Sequence, residues 1–166
     1  MCFTILFSPA VCRSYLNEKL NEPSLKSTCF CSFRPYFGEL GVDNAYQAVK
    51  SGGTIILLAE CSEGYGEPVF ENWIEETNAP DDIIKRLKKK FVLGGHKAYS
   101  IAKLVKEVEV ISISSLPPEK VRKLFFIPME SITQAIEYVK EKHGESFKAY
   151  ILPSGNTVLP FFSIPG

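Results

Sequence analysis

The chain has 166 residues, with 19 basic side chains balanced by 19 acidic ones, and 45% of it is hydrophobic. That length suits one α/β domain with little to spare. The charge balance leaves no global field to attract nucleic acid or an anionic membrane, and no apolar run nears the roughly 20 residues of a membrane helix.

The N-terminal residues 1–40 mix Cys, Ser, Phe and Pro without sustained helical or strand periodicity, and read as an atypical segment. Four of the five cysteines (Cys2, Cys12, Cys29 and Cys31) fall there, and Cys61 stands apart. An odd count without regular spacing argues against a disulfide framework and for a reducing compartment. Cys29-Phe30-Cys31 has no second Cys/His pair at zinc spacing, so no metal site is expected. The opening MCFTILFSPAVC has no Lys or Arg before its apolar run, unlike a signal peptide, and a cytoplasmic location is expected.

From residue 41 to 166 the pattern becomes regular. Val42, Ala45, Ala48 and Val49 give one apolar helix face, stopped by Gly52-Gly53. Thr54–Ala59 is a continuous apolar run of strand length, as expected for a strand covered on both faces. Val69, Phe70, Trp73 and Ile74 lie at helical spacing after Pro68, and Pro80-Asp81-Asp82 starts another helix whose inner side is Ile83, Ile84 and Leu87. The run Lys85–Lys90 on that helix reads as a solvated face.

Ala98–Val105 predicts a further helix, and Val108, Val110, Ile111 and Ile113 a second strand. Pro117-Pro118 opens a helix containing Val121 and Leu124; Phe125–Ile127 predicts a short strand. Ser131–His143 is a helix stopped by Gly144, where His143 suits the negative helix end, and Ala149–Leu152 is the last strand. Strands alternating with helices predict an α/β fold, a Rossmann-like parallel sheet with helices on both faces.

In such a fold ligands bind outside the carboxyl ends of the strands. Glu60, Cys61, Ser62 and Glu63 follow the first regular strand and precede Gly64-Tyr65-Gly66. Two readings stand side by side: the polar groups line the crevice, or they cap the helix beginning near Pro68. Gly94-Gly95-His96 opens a helix, where free backbone N–H groups can hold an anion, and His96 is the one imidazole at a plausible site. The plainer reading of His96 is a surface residue at a helix start. Ser154-Gly155-Asn156 joins the same crevice or forms a simple turn.

The segments DNAYQAVKSGGTIILLAECSEGYG (43–66), FVLGGHKAYSIAKLV (91–105), SLPPEKVRKLFFIP (115–128), SITQAIEYVKEKHG (131–144) and ILPSGNTVLP (151–160), with Phe70 and Trp73 as F-x-x-W, together resemble the C-terminal domain of the nickel-dependent lactate racemase family. The resemblance runs from about Gly41 to Pro160. It implies a partner: family members add a larger N-terminal catalytic domain, and the active site lies between the two. That domain supplies a lysine joined to a nickel-pincer nucleotide, a nickel-binding histidine and two histidines for proton transfer. The cofactor takes a hydride from the α-carbon of a small 2-hydroxy acid and returns it to either face.

Only two histidines occur here, His96 and His143, both inside the matching region. The resemblance therefore implies no catalytic residue, no metal ligand and no cofactor held by this chain alone. It places Tyr36, Glu60, Ser62, Glu63, Gly95 and His96 facing substrate or cofactor, with His96 near the position where some racemases set an aromatic ring. The family's Tyr-Gln-x-x-Lys motif falls on Tyr36–Leu40, where Tyr36 is kept but Phe37 and Leu40 replace the Gln and Lys. Tyr46, Gln47 and Lys50 have the right spacing in the wrong register, and read as ordinary helix residues.

Three functional readings follow. The leading one is a racemase C-terminal domain that is inactive without its catalytic half. The second is a subunit of a split racemase. The third is a free-standing binding module, in which a dinucleotide is disfavoured because Gly64-Tyr65-Gly66 lacks the third glycine of the fingerprint. A frameshift, a misassigned start or a degraded gene would each produce the change in character near residue 40, and resequencing the gene there would decide between them.

Overall fold

In a computed structural model, which describes residues 2–6, 42–145 and 147–152, the chain forms a five-stranded parallel sheet flanked by helices. Tyr36, Cys12, Cys29, Cys31 and Ser154-Gly155-Asn156 lie outside the described residues. In chain order the elements are β1 (Cys2–Leu6), α1 (Val42–Ala48), β2 (Thr54–Leu58), α2 (Pro68–Glu75), α3 (Pro80–Lys89) and α4 (Gly95–Leu104). They continue with β3 (Glu109–Ile113), α5 (Pro118–Lys123), β4 (Ile127–Pro128), α6 (Ile132–His143) and β5 (Lys148–Leu152).

The strand order is β4-β3-β2-β1-β5. The chain thus steps outward from β1 to β4 and returns with β5 on the other side of β1, as in doubly wound folds. Ile55 lies opposite Thr4 and Val110, and Ile5 lies opposite Ile151. The apolar run of β2 is buried along its whole length, as a strand covered on both faces requires. Its side chains alternate between two clusters. Ile55 and Leu57 join Phe70, Trp73, Ile83, Ala102 and Leu104, while Ile56 and Leu58 join Ile111 and the α6 residues Ile132, Ala135 and Val139.

Local chemistry sets the helix ends. Pro68, Pro80 and Pro118 occupy first turns, where the missing N–H costs nothing. Ser131 caps α6 by accepting the Gln134 N–H at 3.2 Å, and the Gln134 side chain reaches back to the Glu130 N–H at 3.2 Å. Gly144 closes α6 at φ +79°.

Two expectations change. A strand occurs at Cys2–Leu6, where the sequence showed no periodicity, and it lies inside the sheet. The short strand predicted at Phe125–Ile127 is instead Ile127–Pro128, because Phe125 adopts φ +62°, a left-handed turn that ends α5. No helix among the described residues is long and apolar enough to cross a membrane.

Candidate functional site at the carboxyl edge of the sheet

Helices that precede a strand of a parallel sheet begin at its carboxyl edge, so the starts of α1 and α4 meet the loop after β2 there. The loop 59–67 turns sharply. Cys61 takes φ +53°, Gly64 φ +71° and Gly66 φ +79°, and the Gly64 N–H bonds the Cys61 carbonyl at 3.1 Å. Cys61 is buried, and burial, with the Glu60 charge adding to it, pushes its thiol up to about 12, so it stays a protonated packing group rather than a nucleophile. Tyr65 is also buried, edge-on to Phe70 with centroids 5.8 Å apart, and its hydroxyl donates to the Lys120 carbonyl at 2.7 Å.

This anchoring leaves Glu60, Ser62 and Glu63 exposed. The Glu60 carbonyl accepts from the Ser115 N–H at 3.0 Å and from the Ser115 hydroxyl, which ties the loops after β2 and β3 together. The side chains of Glu60, Ser62 and Glu63 make no hydrogen bond or ion pair with the described residues, and none of them caps α2. The cap is Glu67, a residue that sequence reasoning passed over. Its carboxylate accepts the Val69 N–H at 3.1 Å and the Phe70 N–H at 2.7 Å. A Glu immediately before a helix-opening Pro was the available signal.

Glu67 also fixes the second loop. Gly94 has φ +89°, and its missing side chain leaves the space that the Glu67 carboxylate fills. Gly95 packs flat on Trp73, where an added Cβ would lie 2.7 Å from the indole. The glycine pair therefore seats α4 against α2, and α4 starts at Gly95, ahead of the apolar pattern that began at Ala98.

His96 follows, half-buried. Its Nδ1 accepts the Gly94 N–H at 3.2 Å, which puts the neutral ring's proton on Nε2. Phe91 stacks on the imidazole at 6.2 Å, and Phe91 and Leu93 are 69% and 76% exposed, the largest bare apolar side chains here. Asp43, in the first turn of α1, feels the His96 charge. Desolvation raises its carboxyl above the usual range, and His96 partly offsets that shift. Asp43 and Phe91 were not among the expected site residues, because their approach to His96 is made by packing rather than by sequence proximity.

The remaining expectations find plain structural roles. Tyr46 donates to Glu107 at 2.5 Å and Gln47 is exposed. Arg86 of the basic run lies 4.6 Å over the Trp73 ring and pairs with Glu76 at 2.7 Å. Among the described residues no three His, Cys, Asp or Glu side chains are placed together to hold a metal ion.

The architecture defines a Rossmann-like domain whose carboxyl edge presents unpaired polar groups beside an exposed aromatic rim. Residues 36–159 match the lactate racemase C-terminal domain family, and the chain belongs to it. It is 25% identical over 124 residues to a lactate racemase of Thermoanaerobacterium thermosaccharolyticum, covering 72% of this chain and 29% of that protein. It is also 25% identical over 131 residues to the lactate racemase of Lactiplantibacillus plantarum, covering 70% and 31%. The solved lactate racemase apoprotein from T. thermosaccharolyticum superposes with a TM-score of 0.66 at 25% identity, over 73% of this chain and 30% of that one. The chain thus spans about three tenths of the length of the curated relatives it matches.

Proposed function

We propose that this chain works as the C-terminal domain of a racemase acting on a small 2-hydroxy acid, and that it turns over only when an N-terminal catalytic domain closes on its carboxyl edge. That domain lies on the same polypeptide or on a separate one. The observation that carries this reading is the family match across residues 36–159, which covers only the C-terminal share of enzymes named lactate racemase. The exposed Phe91 and Leu93 beside His96 support it, since bare aromatic and aliphatic groups around a polar residue suit a covered interface.

In this reading the nickel-pincer cofactor and the proton-transfer histidines belong to the N-terminal domain. This chain contributes recognition: Glu60, Ser62 and Glu63 on one loop, and Gly95 and His96 on the other, face the substrate or cofactor, while Glu67 keeps the two loops in register. The odd, irregularly spaced cysteines support a cytoplasmic setting.

The test mixes the purified full chain with the separately expressed, nickel-loaded N-terminal domain of the T. thermosaccharolyticum enzyme, and follows L- to D-lactate by chiral chromatography. The chain alone should stay at background, and the mixture should convert lactate. His96→Ala should lower conversion in the mixture. Conversion by the chain alone would overturn the dependence on a partner, and a bound but inactive mixture would overturn the racemase assignment.

A further inference from the structure

A second hollow at the carboxyl edge, of about 410 Å³, opens beyond the ends of β3 and β4. That is the size range of small-metabolite sites, at the edge where parallel sheets bind them. Ser112 and Ser114 line it from β3, Glu130 and Gln134 from the start of α6, and Arg122 from α5. Ser112 is 1% exposed between Ile111 and Ile113 in β3, and its hydroxyl donates to that of Ser114 at 3.3 Å. A buried hydroxyl in a core strand is costly unless something uses it.

The charges in this hollow are unusual for the surrounding surface. On α5, Lys120 pairs with Glu71 at 2.8 Å and Lys123 donates to the Glu75 carbonyl at 3.1 Å. Arg122, between them, forms no ion pair among the described residues, and neither does Glu130. The two also do not pair with each other, although both border the same hollow. A guanidinium and a carboxylate held apart across a polar cleft complement a ligand carrying both charges. A shallower hollow on the other side of α5 shares Arg122 but has no strand-end hydroxyls.

We propose that this cleft binds a small zwitterionic amino acid, with its carboxylate on Arg122, its ammonium on Glu130, and its polar side chain on the Ser112–Ser114 hydroxyls and the Gln134 amide. Arg provides the planar donor pair that matches a carboxylate, and the ammonium satisfies the carboxylate opposite. The cleft adjoins the Glu60 loop through Ser115, but its ligand contacts use neither Glu60 nor His96, and it does not depend on the racemase reading.

The test is an amide NMR titration of the full chain with L-serine, with propionate and ethanolamine as the two half-ligands. Serine should saturate with shifts at residues 112–114, 122 and 130–134, and each half-ligand should bind about tenfold more weakly or worse. Arg122→Gln and Glu130→Gln should each weaken serine by about tenfold or more, and Arg122→Lys should recover only part of the loss, because an ammonium keeps the charge but not the paired donors. Both side chains are exposed, so an undisturbed spectrum elsewhere certifies the fold, and either variant suffices if the other fails to fold. Equal binding of propionate and serine, shifts mapping elsewhere, or no saturation by about 20 mM would overturn the proposal.

Discussion

The two edges of the sheet are finished differently. At the amino edge polar groups pair with one another: Thr54, fully buried, meets His143 Nε2 at 2.9 Å, Tyr138 donates to Glu109 at 3.0 Å, and Lys142 pairs with Glu109 at 2.7 Å. At the carboxyl edge Glu60, Ser62, Glu63, Arg122 and Glu130 leave their polar ends without partners among the described residues, beside bare Phe91 and Leu93. Exposed apolar side chains beside solvated polar groups are the usual mark of a face that meets a partner. The amino edge is thus built for stability, and the carboxyl edge is the one available for the recognition proposed above.

Substitutions can break that contrast. The largest effect is expected from Gly95→Ala, which drives a methyl into the Trp73 ring. It should cost about 1–3 kcal/mol in urea unfolding, because here the recognition edge rests on the core. Glu67→Ala should follow at about 1 kcal/mol by loss of the α2 cap, and should also broaden the amide signals of Gly94–His96. If those signals stay sharp, the two loops are not coupled through Glu67.

The amino edge is probed by pH. Burial holds the His143 imidazole below its ordinary 6.5, with Lys142 adding to the effect and Glu109 opposing it. The unfolded chain then takes up the proton first. Stability is therefore full above the unfolded value and falls as pH drops below 6.5 toward the lower folded value. His143→Gln should flatten that slope in thermal unfolding. The smallest effect belongs to the exposed pair Lys106–Asp81 at 2.6 Å: Lys106→Ala should leave the unfolding midpoint unchanged, and a clear drop would mean that surface pairs matter here.

Much of this was legible in the sequence, for local reasons. The continuous apolar run of β2, the glycine stop after α1, the prolines opening α2, α3 and α5, and the Ser131 cap are short-range signals, and each marks its element. Phe125 misled because an aromatic residue reads as strand, whereas the turn at φ +62° is imposed by the way α5 ends. Glu60, Ser62 and Glu63 lie in the loop after β2, and Gly95 and His96 open α4, which are the chain positions their sequence neighbours indicate. The contacts that organise the site were not legible. Glu67 meets Gly94, and Asp43 feels His96, across long stretches of chain that carry no periodic signature. The Arg122 cleft was missed for the same reason, since its walls come from three separate segments.

The position of β1 carries a consequence for how the protein assembles. Among the described residues β1 lies between β2 and β5, and β5 has no other neighbour in the sheet. The segment that matches the family, 36–159, therefore does not contain the strand that joins β5 to the rest. Docking the C-terminal strand must wait for the N-terminal one to cross a long intervening stretch, and such distant pairing is entropically slow. During synthesis β1 can pair with β2 as soon as both are made, but its other edge stays an open template for any passing strand until β5 arrives.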